Sequence, residues 1–266
     1  MKRDLSWCFQ PAAIRLDRGE VHIWRASPSL PEDHLSQLAQ ALSKHERLRA
    51  ESFRSERDRM RFIVGWGVLR SVLGQYLCIE PSRLHFRYSP FGKPYLVEQP
   101  EGDVLQFSLA HSHELNIYAF CRNQEIGVDL EYVRSLPDSE QIAARFFSAR
   151  ENSAWLGLPA EQRQEAFYVC WTRKEACAKA LGCGLLQLVS SFVVTSVLEE
   201  TARILSVGDD PMKATSFCLE TLIPTPGYIA ALALARGEYS LSCYQWAFTS
   251  ESTSTASLNR PSHLPP

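Results

Sequence analysis

Residues 126–131 read Ile-Gly-Val-Asp-Leu-Glu, a short apolar run that carries two carboxylates. In a β-strand successive side chains point to opposite faces, so Asp129 and Glu131 share one face while Val128 and Leu130 share the other. Neighbouring anions repel each other, and each costs stability unless it is solvated, protonated or shares a cation. The stretch therefore predicts a strand whose acidic face must be solvated, protonated or shared with a cation.

The composition is that of an ordinary folded protein. The chain has 266 residues, of which 45% are hydrophobic and 22% charged, which is enough apolar surface for a sizeable core. The length favours two small domains over one large one. A net charge of only −2 argues against a protein that coats nucleic acid or an anionic membrane, so we expect neither as a partner.

The cysteines and the apolar runs predict a cytoplasmic protein. Eight cysteines are scattered without a C-x-x-C pair or a metal-ligand spacing, which favours reduced thiols, with those of residues 170–183 as small buried side chains. The N-terminus has no continuous apolar segment of the kind found in signal peptides. The longest apolar run, residues 228–235, is far shorter than the roughly 20 residues that span a membrane.

Hydrophobic periodicity predicts helices followed by strands in both halves of the chain. A helix over 31–42, a long helix over 46–77, a helix that starts at Ala149 after the capping box Ser148 to Glu151, and a helix over 160–181 are expected. The strands are expected at 21–25, 104–109, 115–121, 126–131, 189–195, 216–221 and 228–235. Because helices are followed by strands in both halves of the chain, the order of elements hints at an internal duplication. Residues 249–266 are rich in Ser, Thr and Pro, which predicts a disordered tail.

A second charged motif lies near the end of the helix predicted over 160–181. Glu175 and Lys179 are four residues apart and so project from one side of a helix. Taken alone they are a surface ion pair. Together with Asp129 and Glu131 they provide three carboxylates and an ammonium group, which suit a Mg²⁺ ion held against a pyrophosphate, since magnesium takes a few carboxylates and phosphate oxygens.

These two motifs resemble those of the 4'-phosphopantetheinyl transferases. The family pattern G-[IV]-D-[ILV]-E is matched by residues 127–131, and W-x-x-K-E-[AS]-x-x-K is matched by residues 171–179. Gly-Lys-Pro at 92–94 and Phe-Ser-Leu-Ala-His-Ser at 107–112 are similar to the two-domain, surfactin-synthetase-activating type. The resemblance extends over residues 20–235.

The resemblance implies an α+β fold of two similar α/β subdomains related by pseudo-two-fold symmetry. The N-terminal subdomain, residues 1–125, would hold the nucleotide of coenzyme A. The C-terminal subdomain, residues 126–248, would carry the metal and the catalytic helix, with the reaction in the cleft between the two. Because one chain supplies both sides of the cleft, we expect a monomer.

The resemblance also implies the reaction and the roles of its acidic residues. These enzymes move the phosphopantetheine arm of coenzyme A to a serine of an apo acyl or peptidyl carrier protein and release adenosine 3',5'-bisphosphate. Asp129, Glu131 and Glu175 would hold Mg²⁺ on the pyrophosphate. Lys179 would neutralise phosphate charge as the bond to the leaving group breaks. Glu175, directly or through a metal-bound water, is the candidate base for the serine.

For the coenzyme A nucleotide, the resemblance implies a group of residues in the first half of the chain. Arginine suits phosphate because its planar fork of donors matches the phosphate oxygens. The family usually has a serine where this chain has Ala110, so Ser108 or Ser112 is the expected substitute. The expected nucleotide-binding residues are Arg49, Arg61 and His111 at the 3'-phosphate, Gly92, Lys93 and Pro94 beside the nucleotide, and Ser108; Arg47, Arg54, Arg57 and Arg59 are expected on a solvated helix face.

Other functions are compatible with parts of the pattern. A metal-dependent phosphohydrolase of coenzyme A or a nucleotide would use water as the acceptor, and a non-catalytic module that binds carrier proteins would lack part of the metal cluster. Taken by themselves, His111 and His113 could bind zinc or iron from one strand face.

The carrier protein is expected to dock by one of its helices near Phe146, Phe147 and Trp155.

Overall fold

The computed structural model describes residues 5–11, 13–182, 192–196, 201–207 and 214–248. The chain forms a mixed α/β fold. The helices are α1 (Glu32–Ala41), α2 (Lys44–Glu51), α3 (Glu56–Leu77), α4 (Ser139–Phe146), α5 (Ala149–Leu156) and α6 (Ala160–Ala180). The strands are β1 (Trp7–Phe9), β2 (Glu20–Ala26), β3 (Phe86–Tyr88), β4 (Pro94–Leu96), β5 (Leu105–Ser112), β6 (Leu115–Arg122), β7 (Ile126–Tyr132), β8 (Phe192–Val194), β9 (Ile204–Val207), β10 (Phe217–Leu222), β11 (Tyr228–Ala235) and β12 (Ser240–Gln245).

The two halves repeat one order of elements. The first half runs β2, α1 to α3, the paired strands β3 and β4, then β5 and β6, and the second runs β7, α4 to α6, the pair β8 and β9, then β10 and β11. Each half forms a sheet in which its last strand is central, in the orders β2-β6-β5 and β7-β11-β10. The internal repeat suggested by the sequence is therefore present in the topology.

The C-terminal strand crosses from the second half into the first. β12 lies beside β2 in parallel, and β1 lies beside β12, which gives the sheet order β1-β12-β2-β6-β5. A division at residues 125 and 126 thus leaves one strand of the second segment in the sheet of the first.

Three hydrophobic cores hold these layers together. One lies between α1, α3 and the first sheet, around Trp24 and Val68. Another lies between α6 and the second sheet, around Val169 and Ala231. The third combines buried residues of both sheets, such as Ile117, so the two sheets pack against each other between outer layers of helices.

The single long helix predicted over 46–77 is wrong. The structure has two helices, α2 and α3, separated by residues 52–55. Ser43 and Glu46 form a capping box at the start of α2, and the Ser55 hydroxyl accepts from the Asp58 amide at the start of α3. The Ser55 cap starts a second helix after the break, although the apolar periodicity continues across it.

The other predicted elements agree with the structure to within a few residues, with short elements missed. The Ser148 to Glu151 capping box is present at the start of α5. The elements that the sequence analysis did not predict are α4, β1, β3, β4, β9 and β12. Of the strand predicted over 189–195, residues 192–194 are a strand, whereas 189–191 and the predicted tail lie outside the described residues. In the described part of the chain no helix is long and apolar enough to cross a membrane.

Candidate active site

Two serines join the halves at the strand that carries the acidic motif. The Ser108 hydroxyl accepts from the Val128 amide at 3.0 Å, and the Ser112 hydroxyl accepts from the Tyr132 amide at 3.1 Å. Ser112 also donates to Glu131 Oε2 at 2.8 Å. Side chains of β5 thus satisfy backbone groups of β7, so the first half fixes the position of the second half's carboxylates.

Gly127 allows helix α6 to lie directly on β7. A Cβ atom at this position would lie 2.0 Å from the Ala176 carbonyl oxygen and 2.4 Å from the Ala180 amide nitrogen. Only a residue without a side chain permits this approach. The glycine of the first motif is therefore required for packing, and the close contact places Lys179 beside the strand.

Asp129 and Lys179 form an ion pair at the edge of this contact. Lys179 Nζ donates to Asp129 Oδ1 at 2.7 Å and to the Val128 carbonyl at 3.2 Å. The second oxygen, Asp129 Oδ2, is buried and has no hydrogen-bond partner among the described residues. A buried carboxylate oxygen without a partner is costly, so this atom is available for a ligand.

Glu131 and Glu175 both lie near the negative charge of Asp129, which adds to burial in raising the pKa of each carboxyl group. Burial raises the pKa of Glu131, and the Asp129 charge adds to the effect. Burial, together with the charges of Asp129 and Glu131, raises the pKa of Glu175 to about 7. A carboxyl that titrates near neutral pH can accept a proton and later release it.

The three carboxylates fit Mg²⁺ by donor chemistry, since this ion prefers oxygen ligands and Asp129 Oδ2 is unbonded. They do not converge on one point. Among the described residues no group of three His, Cys, Asp or Glu side chains is arranged to hold a metal ion. Lys179 occupies one oxygen of Asp129 and Ser112 occupies one oxygen of Glu131.

The lysine that precedes Glu175 in the motif has a structural place. Lys174 and Glu151 are fully buried, with 2.8 Å between Lys174 Nζ and Glu151 Oε2. Glu151 also accepts from the amides of Ser148 and Val194. The motif lysine therefore anchors α6 to the start of α5 and to β8, a role that the sequence analysis did not assign.

A cleft of about 650 Å³ separates this acidic edge from a basic wall in the first half. It brings together Asp129, Glu131 and Lys179 of the second half with the predicted nucleotide-binding residues. Glu175 does not line it. The lining residues that the sequence predicted are Arg49, Arg61, Gly92, Lys93, Pro94, Ser108, His111, Asp129, Glu131 and Lys179.

The basic wall is ordered by a glutamate in the turn between β5 and β6. Glu114 Oε1 accepts from Arg57 and, at 3.0 Å, from Arg61 Nη2. The Nε atom of Arg61 is buried without a partner in the described structure. Arg49 is exposed, and its guanidinium lies 5.3 Å from the centre of the Phe62 ring. Arg57, predicted on a solvated face, is exposed but pairs with Glu114.

Comparison with known proteins gives the family. Residues 24–122 match the N-terminal domain of 4'-phosphopantetheinyl transferase, and residues 125–233 match the 4'-phosphopantetheinyl transferase superfamily. The 4'-phosphopantetheinyl transferase HetI of Nostoc sp. is 38% identical over 233 residues, which cover 86% of this chain and 94% of HetI. The chain belongs to the 4'-phosphopantetheinyl transferase family.

More distant transferases show the same relationship. Sfp of Bacillus subtilis is 28% identical over 210 residues, covering 79% of this chain and 89% of Sfp. A solved holo-(acyl-carrier-protein) synthase from Bacillus anthracis covers 39% of this chain and 95% of its own, at 19% identity and a TM-score of 0.31, a likeness too small to support an inference.

In this transferase the Gly-Lys-Pro loop is tied to the second half. Gly92 has a φ of +85°, a conformation that favours glycine. Lys93 Nζ donates to the Ile126 carbonyl at 3.0 Å and lies 3.5 Å from Glu125. Burial lowers the Lys93 pKa. The loop therefore contacts the residue at which β7 begins.

His111 lines the transferase cleft together with Lys179 and Arg61. His111 is exposed, but partial desolvation in the cleft lowers its pKa, and the nearby charges of Lys179 and Arg61 lower it further. His113 is exposed, has a φ of +53°, and stacks on Tyr132 with 4.6 Å between ring centres. His113 lies beyond the end of β5 in a left-handed conformation and so does not share a strand face with His111, which argues against the zinc or iron site.

The docking position expected near Phe146, Phe147 and Trp155 is wrong in its main residues. Phe147 and Trp155 are 6% and 2% exposed and belong to the core of the second half. Their rings pack against Phe167, so a partner cannot reach them.

Cys170 and Cys177 are buried, as expected, and burial raises both thiol pKa values, that of Cys177 to about 12.

Proposed function

We propose that this transferase moves the phosphopantetheine arm of coenzyme A to a serine hydroxyl of an apo acyl or peptidyl carrier protein and releases adenosine 3',5'-bisphosphate. The observation that carries the proposal is the cleft, where a basic wall faces an acidic edge. Coenzyme A carries a pyrophosphate and a 3'-phosphate at its nucleotide end, and these anions require cationic partners. The family relationship favours a protein serine over water as the acceptor.

Asp129, Glu131 and Glu175 would hold Mg²⁺, which supplies positive charge against the pyrophosphate. Lys179 Nζ is already placed beside Asp129 and would neutralise charge on the departing phosphate oxygen. Glu175 would take the proton of the acceptor serine. Arg49, Arg61 and His111 would hold the nucleotide end, with Gly92, Lys93, Pro94 and Ser108 beside it.

We also propose the two segments 1–125 and 126–248 as subdomains related by a pseudo-two-fold axis. The repeated element order and the matching strand orders β2-β6-β5 and β7-β11-β10 support this. Since one chain provides both walls of the cleft, we propose that a monomer is active.

The test is an intact-mass measurement of an apo carrier protein incubated with coenzyme A, Mg²⁺ and the purified enzyme. We expect a gain of one phosphopantetheine unit that EDTA abolishes. Consumption of coenzyme A without a mass gain would support the phosphohydrolase instead. A panel of fatty-acid, polyketide and peptide carrier proteins that stay unmodified, with coenzyme A intact, would refute catalysis by this chain on those substrates.

A further inference from the structure

Asn116 is a buried amide in the cleft that no part of the proposed reaction uses. It lies on β6 directly opposite His111 of β5, so the two side chains share one face of the sheet. Asn116 is only 5% exposed and lines the cleft. Its Nδ2 atom is buried and has no hydrogen-bond partner among the described residues. A buried donor left unpaired is unfavourable, which points to a missing acceptor.

Helix α3 has a glycine, Gly65, next to the Asn116 amide. A Cβ atom on Gly65 would lie 3.8 Å from Asn116 Oδ1, so the glycine faces the amide without a side chain between them. Arg61 is one helical turn before Gly65 and therefore projects from the same side of α3. Arg61 Nε is the second buried donor without a partner in the described structure. Two unpaired donors thus line one part of the cleft.

The orientation of Arg61 is set from its far side. Glu114 accepts from Arg61 Nη2 at 3.0 Å, and the Glu114 amide donates to the Tyr228 hydroxyl at 3.1 Å. Tyr228 belongs to β11 of the second half. Glu114 is therefore a positioning residue that holds one nitrogen of the guanidinium and leaves Nε unbonded.

The opposite face of β5, which carries residues 108, 110 and 112, offers no unengaged hydroxyl. Position 110, next to His111, is alanine, and the serines on either side are both engaged. Ser108 accepts from the Val128 amide, while Ser112 bonds Glu131 and the Tyr132 amide. Asn116 Nδ2 is a donor in the same cleft that is not engaged in this way.

We infer that Asn116 Nδ2 and Arg61 Nε together bind the 3'-phosphate of coenzyme A. This inference rests on the proposed function. An ionised phosphate offers only acceptors, which matches two donors that lack partners. Asn116 thereby contributes to discrimination between coenzyme A and nucleotides without a 3'-phosphate.

The test compares adenosine 3',5'-bisphosphate with 5'-AMP by isothermal titration of the full chain. Asn116→Leu keeps the approximate volume and removes the donor, and Asn116→Asp replaces the donor with an anion. We expect Asn116→Leu to weaken bisphosphate binding at least about tenfold, Asn116→Asp to weaken it further, and 5'-AMP binding to stay unchanged. The matched control is Asn152→Leu on α5, which lies outside the lining of the cleft.

Thermal unfolding distinguishes a binding role from a structural one. Removing an unpaired buried donor does not lower stability, so we expect Asn116→Leu to unfold at or above the wild-type temperature. Wild-type affinity in this variant, or an equal loss for both nucleotides, would overturn the inference and leave the transferase proposal intact. A wild-type protein that neither binds the bisphosphate nor modifies a carrier would overturn both.

Discussion

The two halves attach their long helix in the same way, by a buried ion pair between a capping-box glutamate and a cation of the long helix, and they differ in the type of cation. In the first half, Glu46 of the α2 capping box accepts from Arg70 of α3 at 2.7 and 3.0 Å. In the second half, Glu151 of the α5 capping box accepts from Lys174 of α6 at 2.8 Å. Both pairs are buried. The repeat therefore preserves an internal ion pair, which fixes the scaffold.

The buried ion pairs are alike in the two halves, but the charges that the two halves present to the cleft differ. The first half contributes cations, represented by Arg49 in the last turn of α2 and Arg61 near the start of α3. The second half contributes Asp129 and Glu131, with Lys179 near the end of its long helix. The two halves thus share an order of elements and strands but carry complementary charges at the cleft. The difference teaches that a common scaffold can present different side chains on its two sides.

The largest expected effect is on the internal pairs. Lys174→Met and Arg70→Met should each lower the free energy of unfolding by about 3–5 kcal/mol, because either leaves a buried carboxylate without its partner. Arg70→Met also removes the hydrogen bonds that Arg70 donates to the carbonyls of Pro81 and Leu84. Urea unfolding measures both values. Arg59→Met, which removes an exposed pair with Glu56, is the control and should match wild type; a loss there as large as in the buried variants would contradict this account.

The next effect separates the two sides of the cleft by kinetics. Asp129→Asn should lower the rate of transfer at least about a hundredfold, because it removes negative charge at the reacting end. Arg61→Gln should mainly raise the KM for coenzyme A, because the proposed role of Arg61 is to bind the nucleotide end of that substrate. Steady-state assays of carrier modification measure both constants.

The controls for this pair are Asp138→Asn and Arg59→Gln, which change charges outside the lining of the cleft. Both should keep wild-type kinetics. A variant at Asp129 that retains near-normal turnover and the wild-type melting temperature would show that the acidic edge is misassigned.

The smallest effect is the pH dependence of stability, which should have opposite signs in the two halves. Burial lowers the pKa of His22, so the folded state binds this proton less well and stability is lost as pH falls below the ordinary value of 6.5. Burial raises the pKa of Glu175 to about 7, so the folded state binds that proton better and stability is lost as pH rises from the ordinary value of 4.5 towards 7.

Urea unfolding in EDTA, between about pH 5 and pH 8, resolves the two contributions. His22→Gln should reduce the loss of stability on acidification, and Glu175→Gln should reduce the loss on neutralisation. Identical slopes in wild type and both variants would show that neither group titrates differently in the folded state.

Much of the fold was predictable because local chemistry encodes it. The Ser148 to Glu151 capping box marks the start of α5, and the alternation at 126–131 marks β7 with Asp129 and Glu131 on one side. The break between α2 and α3 had a signal of the same kind, the serines at 43 and 55, but the apolar periodicity outweighed it. Short strands such as β12 had no such signal, because their pairing partners are distant in sequence.

The sequence by itself determined which residue types are available for the chemistry: carboxylates at 129, 131 and 175, an ammonium at 179, and arginines at 49 and 61. Only the tertiary structure decided which of them meet. It placed Lys179 on Asp129 through the close approach at Gly127, assigned Lys174 to the core, removed Phe147 and Trp155 from the surface, and brought Asn116 into the cleft. The physical reason is that burial and pairing depend on contacts between segments far apart in the chain, which local sequence patterns do not contain.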